Sequence, residues 1–360
     1  MLTGNKGEWS ELYVLFKLLS EGRLYAADEA FRKSEVYFPI LSVLREETKG
    51  TCAEYKTGDR VKVYINDEAV TTLNAGDIED EAQYLLHGLQ SAPRGSGLAF
   101  ERTEEFARRM FVFRLSAPAA DKSDILVHLR DVYTGHCPTV GFSIKSELGD
   151  SPTLLNAGRT TNFIYRIPGA ADAFLAEETA PYGSAGERRR ATIRDKIADL
   201  IQTGHRFVYE GMENRVFRDN LLLIDSNMDR MVAETLLYFY RDGISLCADM
   251  VERLTRDDPL SFGNRYAYAY KFKKLLSSVA LGMKPATVWN GEDEATGGYI
   301  VVTREGEVVA YHLYNRNHFE NYLLSHTRYE TASTTRHRFG TLYEENGVIF
   351  MKLNLQIRFI

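Results

Sequence analysis

The stretch Asp124-Ile-Leu-Val-His-Leu-Arg130, continued by Tyr133-Thr-Gly-His-Cys-Pro138 and Val140-Gly-Phe-Ser-Ile-Lys145, decides how this chain folds. Val140, Phe142 and Ile144 alternate with Gly141, Ser143 and Lys145, the period of a strand that buries the first set and turns the lysine to the opposite face. The first run is also rich in strand-forming residues. Gly135 and Pro138 stand where a chain reversal wants them, so the two runs read as a hairpin. The midpoint between Asp124 and Lys145 falls in that turn, which predicts the two as cross-strand partners. Asp131 lies nearer the turn and is the reserve partner.

An aspartate facing a lysine across adjacent strands suits phosphodiester chemistry. A divalent cation on the acid polarises the phosphate while the lysine orients a water. Nucleases of the PD-(D/E)xK type are built this way, with a second acid two residues before the lysine. Here that place holds Ser143, giving Asp…Ser-x-Lys. Taken alone, the spacing equally fits a solvated Asp–Lys pair on an ordinary hairpin.

The 360 residues suggest about two domains. With 44% hydrophobic and 26% charged residues the chain has the balance of a folded globular protein. No apolar run approaches the roughly 18 residues of a membrane span, and no secretory apolar core follows Met1, so the expected compartment is the cytoplasm, with no membrane partner. Cys52, Cys137 and Cys247 lie far apart without paired spacing, so neither a disulfide framework nor a cysteine zinc site is indicated. A formal charge of -6 argues against a protein that coats nucleic acid, but it allows a site-specific enzyme with a local basic cleft. Basic clusters occur at Arg188-Arg-Arg190 with Arg194 and Lys196, at Lys271, Lys273 and Lys274, and at Arg336-His-Arg338. No G-x-x-x-x-G-K-[ST] loop or G-x-S-x-G elbow is present, which disfavours a nucleotide-phosphate enzyme and a serine hydrolase.

Glu8 to Leu19 has apolar residues at 9, 12, 15, 16 and 19, the spacing of an amphipathic helix. Glu8 falls on its apolar face and Glu11 nearer the margin. An inward carboxylate needs a partner, and a metal is one; the helix dipole at a wet first turn is another. Strands are expected at 37–45, 60–65, 299–303, 308–313 and 348–358, and helices at 78–89, 101–111, 170–175, 187–203 and 229–241. A break at Gly183 to Gly186 marks a possible boundary. The expectation is an α/β or α+β protein, a mixed sheet flanked by helices with additional C-terminal strands, divided as 1–180 and 181–360.

Asn5-Lys-Gly-Glu-Trp-Ser-Glu-Leu-Tyr13, Lys122-Ser-Asp-Ile125, Gly141-Phe-Ser-Ile-Lys-Ser146, Thr153-Leu-Leu-Asn-Ala157, Thr161-Asn-Phe163 and Thr334-Thr-Arg-His-Arg-Phe-Gly340 together resemble the HpaII family of type II restriction endonucleases over nearly the whole chain. The resemblance implies a restriction-endonuclease-like core in 1–180 and DNA recognition in 181–360. It also implies Mg²⁺-dependent cleavage of double-stranded DNA at a short palindrome, CCGG for the member that names the family. Asp124 and Glu8 would then bind metal, Lys145 would position the attacking water, and Ser143 would replace the second strand acid, with Glu147 further along the same face. A palindrome favours a homodimer, each protomer reading one half-site. Arginine reads guanine bidentately, so Arg336 leads the candidates, followed by Arg338 and Arg328, with His337 between. Asn156, Arg159, Thr161 and Asn162 offer donors for phosphates and base edges, although asparagines there also serve as buried structural residues. A sequence-specific DNA-binding protein without cleavage activity is the alternative that Ser143 leaves open.

Overall fold

A computed structural model describes residues 1–28, 32–48, 50–93, 95, 97–116, 123–149, 151–171, 192–312 and 316–360. Helix α1 (Lys6–Glu21) leads into strands β1 (Arg23–Ala27), β2 (Lys33–Thr48), β3 (Thr51–Lys56), β4 (Arg60–Ile65) and β5 (Glu68–Asn74), then α2 (Ala75–Ser91), α3 (Glu101–Arg109), β6 (Ile125–Leu129) and β7 (Thr139–Ser146). Strands β8 (Thr153–Leu155), β9 (Asn162–Arg166) and β10 (Val208–Met212) follow, and after a helical run come β11 (Gly298–Val302), β12 (Val308–His312), β13 (Thr327–Tyr329), β14 (Leu342–Glu345), β15 (Val348–Asn354) and β16 (Ile357–Phe359). The protein is mixed α/β. Residues 1–152 with 293–322 form one compact unit, and 153–292 with 323–360 form the other, so no single cut in the chain separates them.

In the first unit the described strands run β1-β12-β11-β7-β6-β2-β3-β4-β5. The 16-residue β2 pairs with β1 through its first half and with β6 through its second. This closes β1, β12, β11, β7, β6 and β2 into a ring. Pairing is antiparallel except at β1–β12 and β7–β11. The expected strand 308–313 thus joins this unit, not a separate C-terminal sheet.

Helix α1 begins at a capping box, with Asn5 Oδ1 accepting from Glu8 N (3.0 Å) and Glu8 Oε2 from Asn5 N (2.7 Å). It ends at Gly22, whose φ of 61° is the left-handed conformation that glycine holds without strain. Burial goes beyond the expected stripe: Tyr13, Val14 and Leu18 are buried as well as Trp9, Leu12, Leu15, Phe16 and Leu19. The reason is α2, which packs on a second side of α1. Lys17, buried between the two helices, is neutralised by Glu21 (2.7 Å) and Glu79 (3.0 Å).

The sheet side of this core receives Phe142 and Ile144 from β7 with Ile300 and Val302 from β11. Gly297, just before β11, donates its N–H to Gly141 O (2.7 Å). A Cβ there would lie 2.8–2.9 Å from three ring carbons of the fully buried Phe142. Gly297→Ala is therefore expected to cost about 1–3 kcal/mol, as overpacked cores do. The measurement is a fall in urea midpoint at unchanged slope; an unmoved midpoint would mean that the ring can step aside.

The second unit holds two antiparallel sheets, β10-β9-β15-β14 and β13-β16-β8, with helices Ile193–Gln202, Arg215–Ile224, Met228–Leu237, Cys247–Asp257 and Ala267–Leu281. The single strand expected over 348–358 is split. Leu355 turns its N–H to Thr161 O, so β15 stays with β9 while β16 pairs with β13 and β8. The expected break at 183–186, the cluster Arg188–Arg190 and the 180/181 boundary lie outside the described residues. No described helix is long and apolar enough to cross a membrane.

Candidate active site

The β6–β7 hairpin pairs Ile125 with Phe142, Leu126 with Gly141, Val127 with Val140 and His128 with Thr139. Asp124 therefore stands opposite Ser143 and not opposite Lys145. The offset originates in the turn. Fully buried Asp131 accepts from Tyr133 N (2.7 Å) and Thr134 Oγ1 (2.7 Å), and its own N–H reaches His136 O (2.8 Å). Asp131 is thus a turn-former, and the expectation of it as reserve partner of Lys145 is corrected. Because the offset is two residues, side chains keep their face. Asp124, Ser143 and Lys145 still meet.

They meet through the serine. Asp124 N donates to Phe142 O (2.8 Å), and Asp124 Oδ2 accepts from Ile144 N (2.6 Å) and Ser143 Oγ (3.1 Å). Lys145 Nζ donates to Ser143 Oγ (2.9 Å). Tyr299, paired with Ser143 on the parallel neighbour β11, sets its ring under the ammonium at 5.2 Å and is itself braced edge-on by Phe319. Burial pulls the Lys145 ammonium below the usual lysine range, opposed by the charges of Asp124 and Glu11. The site is a half-buried, partly compensated cation beside an acid held by one oxygen.

Of Glu8 and Glu11, the acids in the N-terminal half of α1, the charge felt at Lys145 comes from the one not expected. The Glu8 carboxylate is taken up by the capping box, so the expectation of Glu8 as an inward ligand is corrected. Glu11 is the helix acid whose charge acts on Lys145. Helix α1 is fixed there by a buried contact one residue earlier, Ser10 Oγ to Ser146 Oγ (2.8 Å). Glu147 extends the β7–β11 ladder by one bond, to Val302 O (2.9 Å), and its charge acts on Tyr322.

Among the described residues no three carboxylate, histidine or cysteine side chains converge on a metal position. A Mg²⁺ ion needs no such cage. It keeps several waters and takes one or two carboxylates plus substrate phosphate oxygens. Asp124 fits that demand: Oδ2 is pinned by two donors, and Oδ1 accepts no hydrogen bond from the described residues. Ser143→Ala would free both Asp124 and Lys145 from their shared hydroxyl. The expected result is a loss of about tenfold in single-turnover cleavage, since one hydrogen bond to a charged group contributes about 1.5–3 kcal/mol; an unchanged rate would deny the serine any role.

In the second unit the other predicted residues divide sharply. Thr161 and Asn162 are fully buried. Thr161 Oγ1 exchanges hydrogen bonds with Gly158 N (3.2 Å) and O (3.1 Å). Asn162 Nδ2 donates to Glu213 Oε2 (2.7 Å) and His337 O (2.9 Å), while its Oδ1 accepts from Asn354 Nδ2 (2.7 Å). Both are structural, which corrects the expectation that they meet DNA directly. Arg159 is exposed and forked onto Glu213 Oε1 (3.0 and 2.6 Å). Asn156, Arg336 and Arg338 are exposed. Arg336 lies in a short helical turn, Thr334–His337, capped by Ser333, and Arg338 is the residue that ends it. His337 between them is held below the usual histidine range by burial and then by Arg336, so it is neutral at neutral pH. Arg328 is tied to Glu330 (3.7 Å). Glu213 had no signal in the sequence; its partners Arg159 and Asn162 stand 54 and 51 residues earlier, and Lys352 arrives from β15.

The profile of the HpaII restriction endonuclease family matches residues 5–359. The chain is 37% identical over 363 residues to the type II restriction enzyme HpaII of Haemophilus parainfluenzae, covering 99% of each. No solved structure matches it.

Proposed function

The chain belongs to the HpaII restriction endonuclease family, and from that premise we propose that it is a Mg²⁺-dependent type II enzyme cutting double-stranded DNA at a palindrome, CCGG, as a homodimer in the cytoplasm. The observation that carries this reading is the Asp124–Ser143–Lys145 chain of hydrogen bonds on the first unit's hairpin. A mixed sheet whose antiparallel hairpin continues into a parallel strand, with helix α1 across it, supports a restriction-endonuclease-like core. Cleavage is then assigned to the unit containing residues 1–152, and DNA reading to the unit containing 153–292 and 323–360.

Bound Mg²⁺ would supply charge against the phosphate and a more acidic water. Asp124 Oδ1 would hold it, with Glu11, whose charge also acts on Lys145, as the candidate second acid and water in place of the ligand that Ser143 does not provide. Lys145, already oriented by Ser143 and Tyr299, would direct the attacking water and face the charge that grows on the phosphate. Arg336 and Arg338 would take the guanines, and Asn156 and Arg159 would meet backbone or base edges.

Digesting an unmethylated plasmid with the purified protein and Mg²⁺, then mapping the ends, tests the reading: a discrete pattern with every end at CCGG is expected. Because Ser143 replaces an acid, binding without cleavage is the second reading, and specific retention of CCGG duplexes with no product at any Mg²⁺ concentration would favour it. Ends at unrelated sequences would remove the CCGG assignment.

A further inference from the structure

We infer that Glu213 is the positioning residue of the DNA-reading surface: its carboxylate holds Arg159 directly and, through Asn162, holds the backbone of the Arg336–Arg338 turn. The inference rests on the assignment of DNA reading to this unit.

Glu213 is itself fixed, its N–H donating to Asn162 O (3.0 Å) just beyond β10. Oε1 takes both Nε and Nη2 of Arg159, while Oε2 takes Asn162 Nδ2 (2.7 Å) and Lys352 Nζ (3.2 Å). Burial alone would raise this carboxyl, but its donors Asn162, Arg159 and Lys352 hold it below the usual range, so it is ionised at neutral pH. An Asn side chain has two N–H donors, and Asn162 spends one on Glu213 and the other on His337 O (2.9 Å). Its oxygen is occupied by Asn354, so the amide has one orientation available. That orientation fixes the carbonyl between the two exposed arginines.

The turn needs such support. Arg338 has φ 54°, a left-handed conformation that a non-glycine residue keeps only where its surroundings impose it. The imposed contacts are Asn162 to His337 O, Arg338 N to Thr334 O, and Gly340 N to Lys352 O (2.9 Å). Lys352, whose carbonyl is placed by the β15–β9 ladder, also sends its ammonium to Glu213, so the carboxylate touches the residues behind both anchors and holds the Asn162 anchor directly.

The same carboxylate repels phosphate. Its removal therefore has two effects of opposite sign, which a purely structural or purely electrostatic role would not produce. For Glu213→Gln, binding to a CCGG duplex in Ca²⁺ is expected to weaken by about tenfold or more, the range for one lost base contact, while binding to a duplex lacking the site strengthens because a negative charge is gone. Glu213→Asp, which keeps the charge but shortens the reach, should weaken specific binding without the nonspecific gain. Backbone hydrogen exchange at 334–338 in the DNA-free protein should accelerate in both variants.

Parallel strengthening on both duplexes would reduce Glu213 to an electrostatic brake, parallel weakening would reduce it to a fold requirement, and unchanged binding would remove it; each overturns the inference. If the parent protein itself shows no preference for CCGG, the functional assignment falls. The exchange measurement, which needs no DNA, then decides separately whether Glu213 holds the turn.

Discussion

Lys145→Met is expected to lower single-turnover cleavage by at least about 10²–10³-fold, the loss typical of removing one donor aimed at developing charge, while binding in Ca²⁺ and the fold survive. The retained fold follows from the site's electrostatics. Burial depresses the lysine, and Asp124 and Glu11 recover only part of that cost. A cation whose folded value lies below its unfolded value is a burden on the folded state at every pH beneath the depressed value. The burden lifts only as pH rises from there toward the ordinary lysine range. At neutral pH the neutral, similarly long methionine removes it. Asp124 is not stranded, because Ile144 N and Ser143 Oγ still donate to it. The thermal midpoint near pH 7 should hold or rise. Wild-type cleavage would remove Lys145 from the mechanism, and a midpoint lower by several degrees would overturn the electrostatic account.

Asp124→Asn should be comparably severe for cleavage and equally mild for folding. An asparagine oxygen can keep the bond from Ile144 N, but the Oδ1 position that would hold the metal then carries an NH2 group, which offers a hard cation no lone pair and no charge. Cleavage measured across a Mg²⁺ titration should stay lost at saturation. The neighbouring acids make the comparison decisive. Glu11→Gln is expected to reduce cleavage, whereas Glu8→Gln should not, because glutamine serves a capping box as well as glutamate does. Asp131→Asn should weaken the hairpin turn and spare the chemistry. Loss of activity from the Glu8 or Asp131 variant, with the Glu11 variant intact, would reassign the metal ligands.

What the sequence disclosed about this site follows from period and distance. Alternation along 140–145 located the strand, its buried face and the lysine's side, because those depend on nearest neighbours alone. Register depended on how Asp131 folds the turn onto its own side chain, and placing Asp124 opposite Ser143 needed that knowledge. The first helix was legible, but the choice between Glu8 and Glu11 was not. Helical geometry gives the face of a residue, whereas the capping box and the Ser10–Ser146 contact decide which acid's charge reaches the lysine. Helix Cys247–Asp257 went unread although Cys247, Met250, Val251 and Leu254 carry its period. Glu213, Asn354 and the interleaving of the two units were beyond any local pattern, since each rests on pairings between distant segments.

The parallel partner of β7 has a consequence for synthesis. β7 carries Ser143 and Lys145, but its second neighbour β11 and the ring of Tyr299 come from residues 298–302. Roughly 150 residues of translation, at about 5–20 residues per second, separate the two. During that interval β7 is an open edge, the kind of surface that pairs wrongly with other chains. The lysine meanwhile lacks the burial and the aromatic floor that tune it. A protein wired in this way is not assembled on the ribosome until most of its length has emerged, and a chain released early carries Ser143 and Lys145 without the pocket that surrounds them.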